Sequence, residues 1–141
     1  MPMTKVYLRT GSSSQHRTAI SDAVHRSLIE VLGIPEDDRY HIFHELEDDY
    51  LVSAPVAFGL ERRRQAVFIQ FYFAQRPAET LDALYAATVK NLAELAELEP
   101  RDIYLNVVPS PSENWWAAGR VLNPDTGFDA RMAAESLPSP S

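Results

Sequence analysis

The chain has 141 residues, of which 45% are hydrophobic and 23% charged, with a net charge of −7 and no cysteine. That length and balance fit one globular domain with a real core, while the acidic charge excludes the clustered Lys and Arg of a phosphate-binding surface, so no nucleic-acid partner is expected. Without thiols there are no disulfides, thiolate nucleophiles or cysteine-held metals, and the lack of a bilayer-length apolar run or an apolar leader points to a cytoplasmic protein with no membrane partner.

The first feature in chain order is Pro2. A small residue at position two favours removal of Met1, which exposes a prolyl secondary amine. No internal residue supplies such a group, since a backbone nitrogen elsewhere is a non-basic amide. The amine is a general base when neutral and a general acid when charged. Thr4 to Leu8 then alternate with β-branched and aromatic side chains and read as a short strand. Gly11-Ser12-Ser13-Ser14 breaks the strand and offers helix caps. From about Gln15 to Leu32, Ile20, Val24, Leu28 and Val31 recur at helical spacing, with Asp22, Arg26 and Glu30 on other faces. Gly33 and Pro35 stop that helix, and a second strand is expected from Tyr40 to Glu45.

The second half repeats the plan. Arg62-Arg63-Arg64 reads as a solvated edge before a strand, and Ala66 to Phe73 as a buried strand. Arg76-Pro77 opens a helix striped by Leu81, Leu84, Leu92 and Leu95, and Ile103 to Val108 is the last strand. Asp38 matches Asp102 and Tyr40 matches Tyr104 at one common offset. Two βαβ units in tandem predict an α/β (α+β) fold, a four-stranded sheet with two helices on one face. Val67–Phe73 is apolar at nearly every position, which calls for cover on both faces. The helices supply one, and oligomerisation is the simplest source of the other. One domain is expected over residues 1–128, followed by a flexible tail over 129–141 that ends in Leu137-Pro138-Ser139-Pro140-Ser141.

Pro2, the stretch His25-Arg26 through Gly33-Ile34-Pro35-Glu36-Asp37-Asp38-Arg39-Tyr40, the strand end Gln70-Phe71-Tyr72-Phe73-Ala74-Gln75-Arg76-Pro77 and the late Asn114-Trp115-Trp116-Ala117-Ala118-Gly119-Arg120 together resemble the tautomerase superfamily, and within it the malonate semialdehyde decarboxylase group. The resemblance implies a homotrimer with a barrel-like arrangement of sheets and an active site around each prolyl nitrogen. It also implies tautomerisation, decarboxylation or hydration of a small carboxylate-bearing oxo acid, with no metal and no organic cofactor. In that group a protonated proline polarises the carbonyl, an arginine holds the carboxylate and an aspartate orients water. Carried onto this chain, these roles fall to Pro2, Arg76 and Asp38.

The residues themselves leave several roles open. Arg76 lies between a strand and a helix, where a guanidinium holds a carboxylate through two parallel hydrogen bonds and free helix N–H groups favour an anion. Asp38 is either the site's carboxylate or a turn residue, and Asp102 at the matching place favours the turn. Trp115 and Trp116 supply either an apolar wall over bound substrate or packing between subunits. The second arginine of the decarboxylase pattern is replaced here by Ala78, which leaves one guanidinium for the substrate. His41 and His44 resemble a metal pair, but residues three apart on a strand face opposite sides, so no shared ion is expected. The competing functional reading is a non-catalytic trimeric binding protein of the same fold.

Overall fold

The computed structural model describes residues 2–117 and 119–121. Met1 and the tail expected over 129–141 lie outside the described residues. In chain order the elements are β1 (Met3–Arg9), α1 (Ser14–Leu32), β2 (His41–Leu46), the short pair β3 (Val56–Ala57) and β4 (Leu60–Glu61), β5 (Val67–Phe73), α2 (Ala78–Ala96), β6 (Ile103–Pro109), and a second short pair, β7 (Trp116–Ala117) and β8 (Arg120–Val121). The main sheet runs β2-β1-β5-β6. β1 is parallel to β2 and β5 to β6, while β1 and β5 meet antiparallel at the centre. Each parallel pair is one βαβ unit, and the antiparallel seam joins the two units.

The repeat is closer than the sequence comparison shows. A shift of 64 residues, which carries Asp38 onto Asp102, also carries Met3–Arg9 onto Val67–Phe73 and Ser14–Leu32 onto Ala78–Ala96. Ser13 caps α1 by accepting the His16 N–H, and Gly33 closes it in the left-handed conformation at φ 67°. Its counterpart Glu97 closes α2 at φ 56°, a conformation that costs a residue with a Cβ about 1 kcal/mol.

Alternation along the strands divides the sheet into two faces. Thr4, Val6 and Leu8 of β1 and Val67, Ile69, Phe71 and Phe73 of β5 are buried toward the helices, where they meet Ile20, Val24 and Leu28 of α1 and Leu84 and Leu92 of α2. Burial at these positions is worth about 1.5–3 kcal/mol for each large apolar side chain. The helices touch through the repeat-related residues Ser27 and Asn91. Asn91 Nδ2–H donates to Ser27 Oγ at 2.9 Å, and Ser27 Oγ–H donates in turn to the Ala23 carbonyl at 2.8 Å. Each buried polar group there therefore has a partner.

The other face of the sheet carries Tyr7 stacked on His44 at 4.7 Å, Tyr7 tilted against Phe68 at 6.0 Å, and Lys5 over the Tyr72 ring. Gln70 lies among them and donates weakly to Asn106 at 3.4 Å. This face is thus aromatic and polar rather than uniformly apolar, and no helix among the described residues covers it.

Two features depart from the sequence reading. The β3–β4 hairpin turns through Phe58 and Gly59, both left-handed at φ 53° and 76°, the backbone a two-residue hairpin turn demands. The arginine run is a solvated edge only at Arg64, with Arg62 and Arg63 partly buried. Ala66 N–H donates to Arg63 C=O at 3.0 Å, closing a turn that sends the three side chains apart. Arg62 lies over the Tyr104 ring and Arg64 pairs with exposed Asp48. Arg63 grips fully buried Asp102 with both ends of its fork, Nε reaching Oδ1 at 2.8 Å. Asp102 also accepts the Glu99 N–H at 3.0 Å. The Arg63 guanidinium holds the Asp102 carboxyl below the usual carboxylate range, against the opposing effect of burial.

Candidate functional site

The sheet topology brings the sequence-predicted residues to one end of the molecule. Pro2, which is buried, precedes β1. Because β2 runs parallel to β1, its entry lies at the same end, and Thr4 N–H donates to the Tyr40 carbonyl at 3.0 Å. Asp38 comes two residues before Tyr40. Because β5 runs antiparallel to β1, with Met3 opposite Tyr72, its exit lies there too, and Arg76 follows that exit. β6 ends beside β5, where Ser110 N–H donates to the Phe73 carbonyl at 2.7 Å, and Trp115 Nε1–H reaches the Ser110 carbonyl at 3.4 Å.

Each residue has its own setting. The Asp38 backbone N–H donates to the Pro35 carbonyl at 3.0 Å, so a turn is present as its resemblance to Asp102 requires, and its side chain is buried. Arg76 donates to the Ala74 and Gln75 carbonyls at 3.0 and 3.2 Å and its guanidinium lies 5.8 Å from the Phe73 ring centroid. Among the described residues it has no carboxylate partner. The N-cap of α2, Pro77, brings no side-chain acceptor, so the helix start beside Arg76 keeps free N–H groups that favour an anion. Trp115 is half-buried, but Trp116 is 68% exposed. The Ser110 bond sets Trp115 near this end of the sheet, and Trp116 follows it at the start of β7.

Within one chain, Arg62, Arg63 and Arg64 lie at the other end of β5 from position 78. They precede β5, whereas Arg76 follows it, and a strand of seven residues separates them by about 20 Å. They line instead a cavity of about 600 Å³ at the far end, floored by Tyr7, Phe68 and Tyr104. None of the sequence-predicted site residues lines it.

The structure adds two histidines that the sequence reading left without a role at the site. His25 of α1 is 3% exposed, and its Nε2–H donates to the Glu36 carbonyl at 2.7 Å. His41, at the start of β2, pairs through Nδ1 with Ser21 Oγ at 2.7 Å and meets the His25 ring edge to face at 6.1 Å. His44 stacks on Tyr7 across the sheet, so His41 and His44 face opposite sides as strand geometry predicts. The signal of His25 in the sequence was weak, since histidine in an amphipathic helix usually marks nothing more than a filled core position, and His41 was read only against a metal pair with His44.

Burial pushes the His41 imidazole down to about 4, with Arg39 and His25 adding to the shift and Asp22 opposing it. An unfolded chain protonates this histidine below its ordinary value of about 6.5, while the folded chain does not until about 4. Stability is therefore complete above pH 6.5 and lost as pH falls between these values. Urea unfolding at pH 7.5 and pH 4.5 is expected to show about 2–3 kcal/mol of this loss in the wild type that is absent from His41→Phe. Equal losses in both proteins would exclude His41 as the source.

Comparison with known proteins shows the family to which the chain belongs. Two families, each described as "Tautomerase enzyme", match residues 38–116 and 2–61. Probable tautomerase YusQ of Bacillus subtilis (strain 168) is 26% identical over 116 residues, covering 82% of this chain and 91% of YusQ. Among solved structures, a malonate semialdehyde decarboxylase studied for its decarboxylase and hydratase activities superposes with a TM-score of 0.77 at 20% identity, covering 96% of this chain and 99% of the other. The FG41 malonate semialdehyde decarboxylase, inhibited by 3-bromopropiolate, superposes at 0.74 with 26% identity, covering 98% and 99%. The first of these likenesses speaks to the fold alone.

Proposed function

The chain belongs to the tautomerase family, and from that premise we propose that it is a cofactor-independent enzyme whose Pro2, freed by removal of Met1, acts on a small oxo acid. The observation that carries this reading is the convergence of Pro2, Asp38 and Arg76 at one end of the sheet from three separate segments. Arg76 holds the substrate carboxylate in its fork, assisted by the start of α2. The prolyl nitrogen then faces the substrate's carbonyl end, and Asp38 orients water or the reacting group.

The charge on Pro2 selects the reaction. A protonated amine donates to the carbonyl oxygen and stabilises charge that develops there, which favours decarboxylation or hydration. A neutral amine removes a proton beside the carbonyl and returns it elsewhere, which is tautomerisation. Asp38 favours the protonated form, while burial and Arg76 favour the neutral one. Assembly as a homotrimer belongs to the same reading, because the aromatic face bearing Tyr7, Phe68 and Tyr72 is left uncovered by the helices and subunit contact would cover it.

Ala78 favours a second reading. With alanine at position 78, a non-catalytic trimer of the same fold would still bind a small monocarboxylate through Arg76. Intact mass before and after incubation with 3-bromopropiolate separates the two. Catalysis predicts a chain lacking Met1 and an adduct on Pro2 that disappears in Arg76→Ala. A retained Met1, or a free Pro2 that stays unlabelled, favours the binding protein.

A further inference from the structure

The turn that presents Asp38 is tied to α1 by the His25 side chain, and the residue that follows the turn, Arg39, pairs with Asp22 of the same helix at 2.7 Å. Pro35 to Asp38 forms this turn, closed by the Asp38 N–H on the Pro35 carbonyl at 3.0 Å. Glu36 occupies its second position, and its carbonyl accepts from His25 at 2.7 Å. A carbonyl cannot donate, so His25 Nε2 carries the hydrogen. The ring is almost fully buried, and His41, itself held by Ser21, packs against it edge to face. His25 is therefore a strut of fixed orientation between the helix and the turn.

The internal repeat shows that the fold does not require this strut. The second half has the same turn, with Asp102 N–H donating to the Glu99 carbonyl at 2.9 Å. Shifted by 64 residues, the place of His25 is taken by Val89 and that of Glu36 by Pro100. That turn is locked by Arg63 on Asp102 and by the reciprocal Glu99–Asp102 bonds. An apolar residue thus suffices for packing at this point of the helix. The polar tie occurs only in the half that begins with Pro2. Burying an imidazole carries a penalty that a hydrogen bond must offset, and here the bond goes to the residue two before Asp38.

We propose that His25 is a positioning residue: its Nε2–H bond to the Glu36 carbonyl sets the Pro35–Asp38 turn and so the placement of Asp38, a role that rests on the oxo-acid chemistry proposed above. Misplacement of a reacting group by about 1 Å costs up to roughly a hundredfold in rate. His25→Leu removes the donor, whereas His25→Gln keeps an N–H at nearly the same reach. The expected result is a kcat lower by about tenfold or more in His25→Leu with KM changed by less than about twofold, and recovery of most of kcat in His25→Gln. In an Asp38→Asn background, His25→Leu should add little, because the two act on one element.

A readout independent of turnover is amide hydrogen exchange in the intact protein. The Asp38 N–H is expected to exchange faster in His25→Leu and at close to the wild-type rate in His25→Gln. If the wild-type protein turns over no oxo acid, the catalytic reading fails, and the exchange comparison still decides the strut. Unchanged Asp38 exchange in His25→Leu, or His25→Gln behaving no better than His25→Leu, overturns the proposal and leaves His25 as core filling.

Discussion

A protein that carries one extra residue ahead of Pro2 is expected to lose at least about a hundredfold in turnover while keeping its fold. The extension converts a basic secondary amine into an amide nitrogen with neither a proton to give nor a lone pair to take one. Every other group at this end of the sheet is left in place. Pro2→Ala is the complementary variant, because it retains an amine but makes it primary and frees it from the ring. Its turnover is expected to fall between those of the wild type and the extended protein. Steady-state kinetics on a panel of small 2-oxo and 3-oxo acids, with circular dichroism as the check on folding, measures both. Full activity in the extended protein would remove Pro2 from the chemistry.

Arg76→Ala is expected to lower kcat/KM by about a hundredfold or more, mostly through KM. Hydrogen bonds from a charged group are worth about 1.5–3 kcal/mol each, and a forked pair on a carboxylate supplies two. Arg76→Lys should recover only part of this, because an ammonium is a point charge without the planar fork. The melting temperature should hardly move in either variant, since among the described residues the Arg76 side chain meets only its chain neighbours, the Ala74 and Gln75 carbonyls and the Phe73 ring. That separation matters. A loss of activity with unchanged stability assigns Arg76 to the substrate, while parallel losses assign it to the loop.

The parts of this fold that were legible in the sequence are those governed by short-range physics. The stripe Ile20, Val24 and Leu28 is buried as its helical spacing demands, and Ser13 and Gly33 bound α1 because capping acts over three or four residues. The repeat was visible through Asp38 and Asp102, and the structure extended it to whole strands and helices. The proposed site was suggested by the unusual chemistry open to Pro2 and by the anion-favouring position of Arg76, and the topology sets both at one end of the sheet. Arg63 was misread because its partner, Asp102, lies 39 residues away and only packing brings the two together. His25 was passed over for the same reason, since nothing along the helix announces a bond to Glu36.

By itself, then, the sequence determined the two βαβ units, the bounds of α1 and the absence of thiol chemistry. These follow from side-chain periodicity, capping and composition, which act within a few residues of each other. Tertiary structure alone decided that β1 and β5 meet antiparallel, and so that the entry of β1 and the exit of β5 share one end. It also decided that Arg62–Arg64 lie at the opposite end of β5 from Arg76, and that His25 reaches the Asp38 turn. Those outcomes depend on which strands pair and how the helices pack upon them. Burial of the whole apolar face settles that choice, and no local stretch of the chain encodes it.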